Sequence, residues 1–151
     1  MNKNSILIAL SESPNTKFGK EDLVSQSFPQ KVFSAIWVVE SEVNNGGFSQ
    51  YFSNSSAETA SFVETALDSI GAPKTADICK RAIACAFPNG LPATEEDISS
   101  AAADFSDEVL EALEPLDQEF FAYPQDLTGL LFAYVSKHPE EFGPLPKPDA
   151  A

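Results

Sequence analysis

From Ala82 to Ser136 the chain carries eleven carboxylates and not one Lys or Arg: Glu95, Glu96, Asp97, Asp104, Asp107, Glu108, Glu111, Glu114, Asp117, Glu119 and Asp126. Carboxylates can act as general acids and bases, ligate metals or attract cations. Here they are so plentiful that a pair within catalytic reach is expected by chance, so proximity alone does not indicate catalysis. Metal binding lacks its usual partners, with one His and two Cys in the chain. No Asp-x-Asp-x-Asp-Gly loop suggests calcium. His138 stands near a helix C-terminus, where a cation is favoured, and reads as a cap. Gly46-Gly47 lacks the Lys-Ser/Thr that completes a phosphate loop. The reading is therefore no enzyme, no cofactor and no metal. The attraction of cations is what remains.

The whole composition agrees. Twenty-three acids oppose nine bases, a formal charge of −14. That disfavours direct binding to nucleic acid or an anionic membrane, both of which require cationic footprints. It suits a basic protein partner, or simply solubility. Asp104, Asp107, Glu108, Glu111 and Glu114 recur three or four residues apart, which predicts one continuous helical ridge of carboxylates opposite a Phe105/Val109/Leu113 stripe. Asp117 and Glu119 extend the candidate partner-binding set. Like charges so spaced repel by a few tenths of a kcal/mol per pair, and no Lys relieves them.

The elements that must carry these groups read as helices. Pro29 suits the first position of a long one, with Val32, Ile36, Val39 and Val43 as its apolar stripe. Asn44-Asn45-Gly46-Gly47 ends or sharply kinks that helix. Phe48, Tyr51 and Phe52 then stand on one face of a short helical segment. Ser55-x-x-Glu58 reads as a capping box opening a helix buried through Ala60, Val63, Leu67 and Ile70 and closed by Gly71. Pro73 starts the next helix, which carries Cys79 and Cys85, two buried thiols too far apart in azimuth to bridge. Thr94-x-x-Asp97 opens the acidic region, and Pro115 kinks or divides its helix. Asp126 caps a last helix ended by His138-Pro139.

No strand shows sustained alternation. The fold class is all-α, a single-domain bundle of six to eight helices. Its expected layout is an N-terminal segment over 1–28 packing on the domain, the helical domain over 29–142 and a Pro-rich tail over 143–151. One turn of helix is expected near 20–24. The start holds only five consecutive apolar residues, Ile6 to Leu10, too few for a signal peptide or membrane span, so the location is read as cytoplasmic.

The run Val43-Asn44-Asn45-Gly46-Gly47-Phe48-Ser49-Gln50-Tyr51-Phe52-Ser53-Asn54 resembles the signature of a bacterial family, that of DNA mimic protein nineteen. Glu40, Ile70-Gly71-Ala72, Ala82–Phe87, Leu116–Phe121, Asp126-Leu127 and Tyr134-Val135 also agree, so the resemblance covers roughly 30–142. It implies an α-helical domain. In the name-giving member it implies an acidic surface that occupies the DNA-binding face of a transcription factor. The motif residues Asn44, Asn45, Gly46, Gly47, Phe48, Tyr51 and Phe52 are read as architecture. Two alternatives stay open. One is an immunity or adaptor protein that docks a partner through the Gly46–Asn54 surface. The other, a ligand-binding domain or enzyme, would use a pocket lined by Asn44, Asn45, Gln50, Tyr51 and Asn54. The oligomeric state is open between monomer and homodimer.

Overall fold

Ser27 and Gln30 set the start of the central helix by capping each other. The Gln30 N–H donates to Ser27 Oγ at 3.4 Å, and the Ser27 N–H donates to Gln30 Oε1 at 2.9 Å. This reciprocal pair satisfies two of the orphan donors at a helix end. The Gln30 amide also donates to the Glu141 carbonyl at 2.8 Å, tying the helix start to the far end of the chain. The structure, a computed structural model, describes residues 2–12, 25–54 and 58–142. Ser55, the 20–24 turn and the Pro-rich tail lie outside the described residues.

Eight helices and no strands occur among the described residues: α1 (Lys3–Glu12), α2 (Phe28–Ser53), α3 (Val63–Ser69), α4 (Pro73–Ala86), α5 (Glu95–Ala103), α6 (Asp107–Phe121), α7 (Leu127–Ser136) and α8 (Pro139–Phe142). The fold is an all-α single-domain bundle. α2 is its axis, with α3, α5, α6 and α7 packed on it; α4 lies on α3 and α6, and α1 on α7. Val32, Phe33, Ile36, Val39 and Val43 are at most 1% exposed, so the stripe read from the sequence is the core seam. Ile6, Leu7 and Leu10 bury the inner face of α1.

Local chemistry sets most of the boundaries. Pro29 and Pro73 occupy first-turn positions. Gly71 takes φ +83 after α3. Thr94 Oγ1 accepts the Asp97 N–H, and Asp126 Oδ1 accepts the Gly129 N–H. His138 Nδ1 lies 2.7 Å from the Tyr134 carbonyl at the end of α7. Three expectations are corrected. α3 opens at Val63 behind Phe62, which makes no side-chain cap. α6 runs through Pro115 as one helix, which excludes the division there. Pro115 and Glu111 are both exposed, so the carbonyl that the missing N–H leaves unpaired is on the solvent side, where water can serve it. α7 is not the last helix, because Pro139 opens α8 and buries Phe142.

Candidate partner-binding face

The carboxylates sit on two helices rather than one. α5 ends at Ala103, and the Asp104 N–H closes it by donating to the Ala101 and Ala102 carbonyls. Ser106 then starts α6, its Oγ accepting the Val109 N–H at 3.2 Å. The single continuous ridge from Asp104 to Glu114 is therefore corrected. A hydroxyl in an extended residue offered the chain a new N-cap, and the helix restarted there. Phe105, between the two helices, packs edge-on to Phe52 and Phe87.

Asp107, Glu108, Glu111 and Glu114 are all exposed on α6; Asp104 is exposed at the C-terminal end of α5, and Glu96 and Asp97 are exposed in its first turn. Four carboxylates thus occupy about 10 Å of the α6 axis. Asp107 and Glu108 also fall in the first turn of α6, where the macrodipole favours negative charge. No ion pair within the described residues involves these four side chains.

Asp117 and Glu119 differ from them. Asp117 is half-buried, and its Oδ1 accepts the Phe48 N–H at 2.8 Å. Burial raises its pKa, the Phe48 N–H opposes that rise, and Glu114 adds to it. Glu119 holds the Arg81 guanidinium in two parallel bonds of 2.8 Å, while Arg81 Nε donates to Asp77 at 2.8 Å. The Arg81 hydrogen bonds draw the Glu119 pKa down. All three groups are exposed, and solvent screens such pairs, so they add little to stability. Asp117 thus braces the fold, and Glu119 is neutralised by the last base before the acidic span.

The Val43–Asn54 motif explains what Asp117 is for. Gly46 (φ −157, ψ 17) and Gly47 (φ 78, ψ −178) interrupt α2. The segment from Phe48 onward begins afresh with unpaired N–H groups, and Asp117, from α6, caps the first of them. A Cβ on Gly47 would strike the Asp117 carboxylate, and one on Gly46 would strike the Gln50 side chain. Phe48, Tyr51 and Phe52 are at most 1% exposed. Their rings meet one another and Phe87, Phe105 and Phe120. Tyr51 hydrogen-bonds to buried Thr59, and burial raises its pKa. Glu42 Oε2 accepts from Gln50 at 2.9 Å and from Asn54 at 2.7 Å, bracing the kink from the outside.

The five residues expected to line one ligand pocket are not brought together. Asn44 lies on a cleft with Trp37 and Glu40. Gln50 and Asn54 lie on a separate shallow groove with Gly46, Ser49, Ser53, Ala102, Ala103 and Leu110. Tyr51 is interior, and Asn45 is exposed. The sequence reading missed a chain of hydrogen bonds. Asn44 Nδ2 donates to Tyr123 Oη at 2.7 Å, and that hydroxyl donates to Glu40 Oε1 at 2.9 Å. The one-turn spacing of Glu40 and Asn44 was visible; Tyr123, 79 residues beyond Asn44, was not. Burial pushes the Cys79 thiol up to about 12, so it is held protonated. Cys85 is half-buried rather than buried, and both cysteines are free.

Within the described residues no cluster of three His, Cys, Asp or Glu side chains could hold a metal, and no helix is long and apolar enough to cross a membrane. What the geometry defines is an all-helical protein with a row of exposed carboxylates that no base among the described residues pairs, locked at its centre by a glycine kink. The family model described as DMP19-like protein matches residues 25–138, and the chain belongs to that family. No curated protein and no solved structure matches it significantly.

Proposed function

We propose that this is a non-enzymatic interaction protein, a DNA mimic whose α5–α6 carboxylates occupy the basic DNA-binding face of a transcription factor or similar protein. The observation that carries the proposal is the row Asp107, Glu108, Glu111 and Glu114, exposed on α6 with no base among the residues around it in sequence. Over the same 10 Å, one strand of B-DNA carries about three phosphates. The linear charge density is comparable, so a surface built for phosphates meets a similar field. Glu96, Asp97 and Asp104 add further exposed carboxylates on α5. Family membership supports the reading, since the family takes its name from a DNA mimic.

The test is capture of partners from the native host at two salt concentrations, followed by titration against the captured protein. Affinity for a basic partner is expected to fall steeply with salt, because exposed charges are screened over about 8 Å at physiological ionic strength. Replacing Glu108 and Glu111 by Lys is expected to abolish capture with the fold intact. Salt-insensitive binding, or full binding by that double variant, would sink the proposal.

A second reading, an immunity or adaptor protein docking through the Gly46–Asn54 surface, has one observation in its favour. Gln50, Ser53 and Asn54 line the shallow groove beside Leu110, which is 41% exposed. Leu110→Asp separates the two. Loss of binding with charge-reversal variants unaffected selects the groove.

A further inference from the structure

The cleft between α1, α2 and α7 is lined by Asn4, Leu7, Ile8, Trp37, Glu40, Ser41, Asn44 and Thr128 and has a volume of about 250 Å³. It contains one carboxylate, several neutral hydrogen-bonding side chains and an aromatic ring. Glu40 uses Oε1 to accept from Tyr123. Its other oxygen accepts no hydrogen bond among the described residues, and no cation is paired with it there. Asp126 is near enough to add negative potential at Glu40. Lys3, next to Asn4 in the chain, directs its ammonium elsewhere, 5.7 Å from the centre of the Phe132 ring. One face of Trp37 is stacked on Phe33 at 5.4 Å and 11°, which holds the indole in place at the cleft.

A half-buried carboxylate whose second oxygen accepts no hydrogen bond and faces no counter-ion among the described residues is an incomplete arrangement. An ammonium would complete it. It would give Glu40 a charge-assisted bond, find neutral acceptors in the Asn4, Asn44, Ser41 and Thr128 oxygens, and lay its alkyl stem along Leu7, Ile8 and Trp37. A carboxylate or phosphate would be repelled. The cleft is small for a drug-sized molecule, which suits a single chain rather than a ring system. We infer that this cleft is a binding site for a primary alkylammonium group, with Glu40 as the charge partner and Trp37 as the apolar wall. The group could belong to a free amine or to a lysine side chain. The residues come from α1, α2 and α7, so the site does not depend on the α5–α6 face being a DNA mimic.

Trp37 is the chain's one tryptophan, so its fluorescence reports on this cleft directly. The full chain is titrated at constant ionic strength with n-butylammonium, with 1-butanol as the uncharged isostere and with Nα-acetyl-lysine methylamide. Butylammonium is expected to shift the emission saturably, and butanol to bind about tenfold more weakly or worse. Glu40→Gln should lose a similar factor for the amine while leaving butanol unchanged. Should that variant fail to fold, Thr128→Leu, which fills the cleft and keeps Glu40, should block the shift instead. Acetyl-lysine amide binding as well as butylammonium assigns the site to a protein lysine; its exclusion assigns the site to a free amine. A non-saturable response, equal binding of butanol, or full binding by both variants overturns the inference.

Discussion

Asp117 Oδ1 accepts the Phe48 N–H at 2.8 Å, and through that one bond α6 caps the second half of α2. An N-cap is normally supplied by the residue that precedes the helix. Here the preceding residue is Gly47, which has no side chain, and the carboxylate arrives from 69 residues away. The acidic helix and the family motif are therefore one structural unit.

Asp117→Ala should remove the cap and leave a half-buried N–H unpaired. Losses of this kind run to about 1–2 kcal/mol, equivalent to a Tm lower by a few degrees in a chain of this size. Asp117→Asn keeps an acceptor oxygen in place and should lose clearly less. Urea unfolding of the two variants side by side is the check, and equal stabilities would remove Asp117 from this role.

The two glycines of the kink should respond differently. Gly47→Ala meets both a positive φ and the Asp117 carboxylate, so a loss of about 1–3 kcal/mol or more is expected. Gly71→Ala has a similar φ of +83 but open space around it, so it should lose only the conformational part, about 1 kcal/mol. Gly46→Ala carries no positive-φ strain, but its Cβ would meet the Gln50 Cβ as well as the movable amide end, so it too should destabilise. A Gly47→Ala variant as stable as Gly71→Ala would show that the Asp117 approach is not tight.

Phe48→Ala should cost about 3–5 kcal/mol, because the ring is 1% exposed among Phe52 and Phe120. Tyr51→Phe keeps the ring and removes the bond to Thr59, for about 1 kcal/mol. Circular dichroism on heating measures both. A Phe48→Ala protein that keeps its Tm but loses partner binding would return the motif to the interaction surface.

Glu40 gives a pH signature. Burial raises its pKa above the ordinary carboxylate value; the Tyr123 hydroxyl opposes the rise and Asp126 adds to it. A carboxyl with a raised folded pKa contributes stability that is full below its unfolded pKa and is lost as pH rises through the folded one. Glu40→Gln copies the neutral form. It should raise Tm at about pH 8 and give no gain near pH 4, where the native carboxyl is already protonated. A gain of equal size at both pH values would rule out the charge as its source.

The charge row on α6 predicts an inverse effect of mutation on stability and on binding. Glu111 stands three residues from Glu108 and Glu114 and four from Asp107, so Glu111→Lys turns three repulsions into attractions of a few tenths of a kcal/mol each. Tm should rise slightly in low salt, and the rise should vanish near 1 M NaCl, where screening acts within about 3 Å. A Tm that falls in low salt would mean that the row is already balanced by neighbours.

What the sequence determined by itself was most of what a helix end or a helix face decides locally, though not the start of α3 or the caps at Ser27 and Ser106. Pro29, Gly71, Pro73, Thr94 and Asp126 act on backbone groups within four residues. The Val32–Val43 stripe follows from the 3.6-residue period. The glycine kink, the buried motif rings and the family were legible for the same reason. Ser27-Phe28-Pro29-Gln30 was equally local and could have been read as a capping box. The restart of the helix at Ser106 was a close contest between two local options, continuation and a new cap, and packing of Phe105 against Phe52 and Phe87 accompanies the second. Only the tertiary structure decided which acids are free. Asp117 and Glu114 look alike in sequence, three residues apart on one helix. One turns inward to the Phe48 N–H and the other outward to water, because α2 lies against only one side of α6. Glu119 meets Arg81 across 38 residues, and Tyr123 meets Glu40 across 83. Hydrogen bonds over such separations depend on how helices dock, and side-chain spacing along one helix carries no record of its neighbour.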